Sequence, residues 1–329
     1  MNAPWLDEPL RVVGTLYAAD RMPHAMLIQA APGTGGDWLA TWIAQLVLCR
    51  TPARAPAGAG PQHGPDRPCG RCPSCRHVAD GQHPDLARVR PLEDSQQIRI
   101  EQVRELCADL ALTSHQGGYK VALIEPTDAL NRFAANALLK TLEEPSPRTL
   151  LVLVAAQPSR LPATLRSRCQ RVAVPAPTRA QSLEWLERTR GPGDWSAVLD
   201  VVGEAPVAAA ALDPTSVARL RAETWRMLDE VRSGAADPTV AAERWSRSEL
   251  ALRLNCLENW LTERIRHGLD TATRSAELRA SAQTRHAVSV MNTRALYRQL
   301  DALRDLKSAL ATPINRSLAL ETLLRSLQT

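Results

Sequence analysis

Two uninterrupted apolar runs constrain this chain most: "KVALIE" (120–125) and "TLLVLVAA" (149–156). Runs of this kind, without polar alternation, are buried on both faces, as the strands of a parallel sheet are. Parallel neighbours need a crossover. "NRFAANALLKTLEEP" supplies one: Ala134, Ala137, Leu138, Thr141 and Leu142 form one helical stripe, and Pro145 ends it. The alternation is repeated upstream. "AMLIQ" precedes "DWLATWIAQLVLC", where Leu39, Trp42, Ile43, Leu46 and Val47 share a face, and the weaker strand "DLARVRP" precedes "IRIEQVRELCADLAL". The expectation is an α/β fold with a parallel sheet. After "RVAVPAPT" (171–178) only helical patterns remain, divided by breakers at Gly234, Pro238, Gly268 and Pro313. Residues 50–68, rich in Pro, Gly and Ala, read as a flexible insertion.

Between the first strand and its helix lies "QAAPGTGGDW" (29–38). A phosphate-binding loop sits in that position and follows the pattern G-x-x-x-x-G-K-[ST]. Here Ala30 stands at the first glycine and Gly35 at the second, while Gly36 replaces the lysine and Asp37 the hydroxyl residue. Glycine supplies no cation, and a carboxylate at 37 repels a triphosphate.

The spacing of four cysteines carries a second chemistry. "CGRCPSC" places Cys69, Cys72 and Cys75 with two residues between each, and Cys49 ends the preceding helix. Four thiolates satisfy a tetrahedral, structural zinc ion. The alternatives are a redox C-x-x-C or reducible disulfide, a three-cysteine iron–sulfur set, or His63, His77 or His83 in place of Cys49. Cys107, Cys169 and Cys256 read as ordinary small apolar residues. The formal charge of +5 permits an anionic partner, but with lysine only at 120, 140 and 307 the basic residues are nearly all arginine, a compositional bias rather than a binding patch. No run approaches the ~18 apolar residues of a membrane span. The beginning "MNAPWLDEPL" has no basic and apolar regions of a secretory signal, so the expected location is cytoplasmic.

Several segments taken together closely resemble one family. They are "HPD" (83–85), the stretch from "LTSHQGGYK" to "KTLEEP" (112–145), "LPATLRSRC" (161–169) and "PINRSLALETLL" (313–324). They are similar to the delta prime family of bacterial DNA polymerase III, a branch of the AAA+ clamp loaders. The block 112–169 is the specific part, and 214–312 is weak. The resemblance implies a P-loop domain with an inserted four-cysteine zinc module (1–174, module 49–75), a helical lid domain (175–212) and an all-α collar (213–329). It also implies further losses at the nucleotide site. Glu125 stands at the metal-binding acid, but Pro126 replaces the water-activating glutamate. Ala155 and Ala156 replace the polar sensor, and Pro206 a lid arginine. The loop Gly33, Gly35, Gly36, Asp37 is then a degenerate one that binds no ATP. "SRC" (Ser167, Arg168, Cys169) matches the motif that offers an arginine finger to a neighbouring subunit's ATP. The alternative for Arg168 is a local carboxylate partner.

The implied role is a non-catalytic subunit of the DNA polymerase III clamp loader. Its implied partners are the gamma/tau ATPase subunit, the delta subunit and, through the complex, the beta clamp and primer-template DNA, with no membrane. The leucine-rich 295–324 suits contact between subunits or an internal bundle. Two rival functions remain: an active AAA+ ATPase with an atypical site, and a zinc-dependent nucleic-acid adaptor. The adaptor would want aromatic residues among Arg50, Arg54, Arg67, Arg71 and Arg76, and that stretch has none.

Overall fold

The computed structural model describes residues 3–53, 67–92, 95–279, 293–310 and 314–328. Arg54, His63 and most of the Pro/Gly/Ala-rich stretch lie outside these residues, as does Pro313. Two compact units are formed. The first comprises 1–186 with 204–208, and the second 187–203 with 209–329.

Among the described residues the first unit is built on five strands: β1 (Ala25–Gln29), β2 (Leu86–Val89), β3 (Lys120–Ile124), β4 (Thr149–Ala155) and β5 (Gln170–Ala173). All pair in parallel, in the order β2-β3-β4-β1-β5. The helices of this unit are α1 (Asp7–Ala18, before β1), α2 (Gly36–Leu48), α3 (Pro73–Ala79), α4 (Ile100–Leu110), α5 (Arg132–Glu143) and the short α6 (Ala163–Arg166). The apolar runs are buried almost end to end, as expected for strands covered on both faces. Leu27, Ala122 and Leu151 pack with Leu106, Leu110, Leu138 and Leu142 of α4 and α5. Lys120 is the polar residue of β3. It is buried, and its Nζ donates to the Asp109 carbonyl (2.6 Å) and carboxylate (2.8 Å), so the charge is paired at the strand's start. This is an AAA+-like α/β fold, followed by helices.

Those helices are α7 (Arg179–Arg190), α8 (Trp195–Val202), the one-turn α9 (Pro206–Ala209), α10 (Pro214–Arg232), α11 (Pro238–Arg247), α12 (Leu250–Arg279), α13 (Thr293–Ala309) and α14 (Arg316–Arg325). Asp213 and Asp237 cap α10 and α11, each followed by proline at the first helical position. The break expected at Gly268 does not occur, because α12 runs through it. One glycine costs a helix only about 1 kcal/mol relative to alanine. The stripe Leu254, Leu257, Leu261 and Ile265, buried on the same helix, outweighs that. The leucines at 300, 303, 306, 320, 323, 324 and 327 are buried in one cluster with Trp245, Leu228 and Val231 of this chain. They form the bundle's own core, so they are not free for another subunit.

Candidate functional site

The loop after β1 keeps the turn of a phosphate loop. Gly35 adopts φ 100°, a left-handed conformation suited to glycine, and starts α2. A cavity of about 250 Å³ opens at the carboxyl ends of the strands, where an α/β sheet binds ligands. Its walls include Ala30, Gly33, Gly36, Asp37, Glu125 and Pro126.

Three features oppose nucleotide chemistry there. Position 36 has no room for a side chain: a Cβ on Gly36 would lie 2.5 Å from the Ala30 methyl and 3.1 Å from Val154. The methyl at the lost first glycine thus fills the space a lysine stem would cross. Asp37 sits exposed in the first turn of α2, where its carboxylate meets the positive end of the helix dipole that a phosphate would otherwise meet. Glu125 is paired through one of its oxygens, Oε1, while Oε2 is buried without a partner among the described residues. Arg90 donates to its Oε1 from Nη2 (2.5 Å) and Nε (3.1 Å), and Arg88 lies 3.6 Å from the same oxygen. The rest of the loop is also held by protein. The Trp5 indole donates to Thr34 O (2.7 Å), and Val207 N–H donates to Gly33 O (2.9 Å). Trp185 stacks edge-on with Trp5 at 5.4 Å and lies 5.9 Å from Trp38.

The second cluster is metal-competent. The Sγ atoms of Cys49, Cys69, Cys72 and Cys75 all lie within 4.8 Å of one another, with Cys49–Cys72 at 4.0 Å and Cys69–Cys75 at 3.9 Å. A tetrahedral ion with bonds of about 2.3 Å needs sulfur–sulfur edges of about 3.8 Å. Backbone amides prepare the donors: Cys69 N–H points to Cys49 Sγ, Cys72 N–H to Cys69 Sγ and Cys75 N–H to Cys72 Sγ. The Thr51 side chain, with the Arg71 and Cys72 amides, holds the Cys69 thiol down at about 5. Burial, then the adjoining Cys49 thiol, pushes Cys75 up. Four thiols this close cannot all ionise alone, and a divalent cation removes that conflict.

Cys49, from the end of α2, therefore joins the three cysteines, and His77 and His83 do not. His83 is buried and otherwise engaged. Ser74 gives its hydroxyl proton to Leu48 O (2.5 Å), so His83 Nε2–H donates to Ser74 Oγ (2.8 Å), and Nδ1 accepts from Asp85 N–H (3.1 Å). Burial depresses the imidazole pKa and keeps the ring neutral. Asp85 in turn accepts from the amides of His115 (2.6 Å) and Gln116 (3.1 Å), tying the cysteine module to the loop before β3. His77 is exposed on α3, and Arg50, Arg67, Arg71 and Arg76 flank the cysteines with their side chains at or near the surface.

Arg168 follows α6 and is 35% exposed. Its Nη1 donates to Thr164 O (2.8 Å) and its Nη2 to Glu143 Oε1 (2.7 Å). Ser167 Oγ donates to Thr164 O (3.0 Å), and Cys169 is buried. The local carboxylate weighed as a partner for Arg168 is thus present.

The family model described as "DNA polymerase III, delta subunit" matches residues 7–178. A Pseudomonas aeruginosa protein named DNA polymerase III subunit delta' is 35% identical over 311 residues, 92% of this chain and 90% of that protein. The chain belongs to the DNA polymerase III delta prime family. An Escherichia coli K12 delta' protein is 36% identical over 185 residues, 56% of this chain and 52% of that one. In fold, the chain is similar to a solved gamma subunit-related protein of Thermotoga maritima, with TM-score 0.50, 17% identity, and 96% and 98% of the two chains covered.

In this chain the sequence pattern singles out Gly36 at the lysine position of the loop but not the arginine pair on Glu125. The signal was available only in part. Arg88 and Arg90 belong to the weak strand β2 and its end, which the sheet places beside β3. The crowding at position 36 leads to a prediction. Gly36→Lys alone should not create ATP binding, and it should lower thermal stability, because overpacking of this kind costs about 1–3 kcal/mol. Thermal melts and equilibrium ATP binding of the variant check this, and a stable, ATP-binding Gly36→Lys would contradict it.

Proposed function

We propose that this chain is the non-catalytic subunit of a DNA polymerase III clamp loader. It binds no ATP, supplies Arg168 as an arginine finger to a neighbouring ATPase subunit, and holds one structural zinc through Cys49, Cys69, Cys72 and Cys75. The observation that carries this reading is the pairing of a phosphate loop that has no place for a lysine with an arginine retained in "SRC". A chain with no ATP chemistry of its own has no internal use for a finger. Its partners are then the gamma/tau ATPase subunit and the delta subunit. The assembled ring places the beta clamp on primed DNA in the cytoplasm. Residues 1–174, 175–212 and 213–329 serve as P-loop-like, lid and collar domains, the last holding the ring.

The test has two parts. Mg·ATP titrated into the isolated protein, read by the fluorescence of Trp5, Trp38 and Trp185 around the loop, should give no saturable response. The same protein mixed with the ATPase and delta subunits should elute with them as one complex in gel filtration. Micromolar ATP binding or turnover by the isolated chain would instead favour an active ATPase with an atypical site. Failure to co-assemble would remove the clamp-loader role.

A further inference from the structure

We propose that Glu143 is a positioning residue that holds Arg168 at rest and competes with the neighbouring subunit's phosphate for it. This inference rests on the finger reading above. It is carried by the two contacts of the guanidinium, Thr164 O through Nη1 and Glu143 Oε1 through Nη2. The two contacts differ in kind. Thr164 belongs to α6, four residues before Arg168, so its bond can travel with the finger. Glu143 is the last residue of α5, 25 positions away, and its bond cannot. A phosphate oxygen entering from outside needs the same planar donor edge that Glu143 occupies. Both partners are partly solvent-exposed, at 35% and 51%, so the pair is weak enough to exchange in the absence of unfolding.

Glu143 has little structural reason to be acidic. It ends α5, where the helix dipole disfavours a carboxylate. The core contact at this end of the helix comes from its neighbour Leu142, which is buried. Glu143→Gln keeps the shape and removes the charge, so the fold should be unaffected. With the holding charge gone, Arg168 should be free a larger part of the time. An exposed ion pair corresponds to about a two- to five-fold change in that population.

The experiment uses loaders assembled with wild-type, Glu143→Gln, Arg168→Ala and doubly substituted subunit, and measures single-turnover ATP hydrolysis with clamp and primed DNA. The part of the rate that disappears in Arg168→Ala should rise about two- to five-fold in Glu143→Gln at low salt. The gain should fade as salt screens the pair in the wild type. The double variant should behave as Arg168→Ala alone. A Glu143→Gln rate equal to or below wild type, with Arg168→Ala impaired, overturns the holding role and leaves the finger intact. A gain that persists in the double variant also overturns it, because Glu143 then acts by another route. An unchanged rate in Arg168→Ala removes the finger reading itself, and the holding role with it.

Discussion

Cys72→Ser is expected to lose most of the metal from a protein that otherwise carries close to one equivalent of zinc, and to unfold at a lower temperature. The cluster supplies four sulfurs at near-tetrahedral separations, and the buried histidine next to the module cannot replace one, since His83 is committed to Ser74 and Asp85. Structural zinc sites contribute about 10–16 kcal/mol of apparent binding free energy in small peptides. Only part of that should appear here, because α3 is also held to α2 by protein contacts. Gln45 Nε2 donates to Cys75 O (3.0 Å), Ser74 to Leu48 O, and Val78 is fully buried. For a unit of the size of 1–186 with 204–208, each kcal/mol lost lowers Tm by about 2–4 °C. Serine at Cys107, Cys169 or Cys256 should leave the metal content unchanged. Burial pushes Cys169 and Cys256 up to about 11, leaving them as inert thiols. Metal analysis and thermal melts of the purified variants decide the matter. A metal-free wild type with full stability would mean that the cysteines serve another purpose.

Arg168→Ala should cost the assembled loader one of its hydrolysis sites while leaving assembly intact. An arginine finger is worth on the order of 10³ or more in phosphoryl transfer, so the site facing this subunit should nearly stop. Sites between other subunits should continue, so the total rate falls partially rather than to zero. Lysine should rescue poorly, because it is a point charge without the planar fork that spans two phosphate oxygens. The change removes a partly exposed side chain and leaves Thr164 O and Glu143 to water, so gel filtration should show an unaltered complex. Clamp-loading rates measured beside ATP hydrolysis complete the test. Equal rates for wild type and variant would reduce Arg168 to the surface ion pair that the isolated chain displays.

The sheet and its helices were legible in the sequence because each is a local, periodic property. The unbroken runs at 120–125 and 149–156 suit doubly covered strands, and the stripe from Ala134 to Leu142 is a helix that covers them. The departures of Gly36 and Asp37 from the phosphate-loop pattern were equally legible, since a missing side chain needs no partner to be recognised. What the sequence could not determine are pairings between residues far apart in the chain, which follow no period. The register of β2 on β3 sets two arginines against Glu125, Arg90 35 positions away and Arg88 beside it. A tryptophan 29 residues upstream secures Thr34. The methyl of Ala30 closes the space above Gly36, a fact of packing distance and not of residue type. Cys49, rather than a histidine, completes the four-sulfur cluster because the end of α2 brings its sulfur to the other three, while a serine and a backbone amide engage His83. The leucines of α13 and α14 suited an inner or an outer interface equally well by pattern. Burial with Trp245 decided for the inner one at 300, 303, 306, 320, 323 and 324, while Leu318 stays exposed, since an apolar stripe specifies that it must be covered and only the tertiary structure specifies by what.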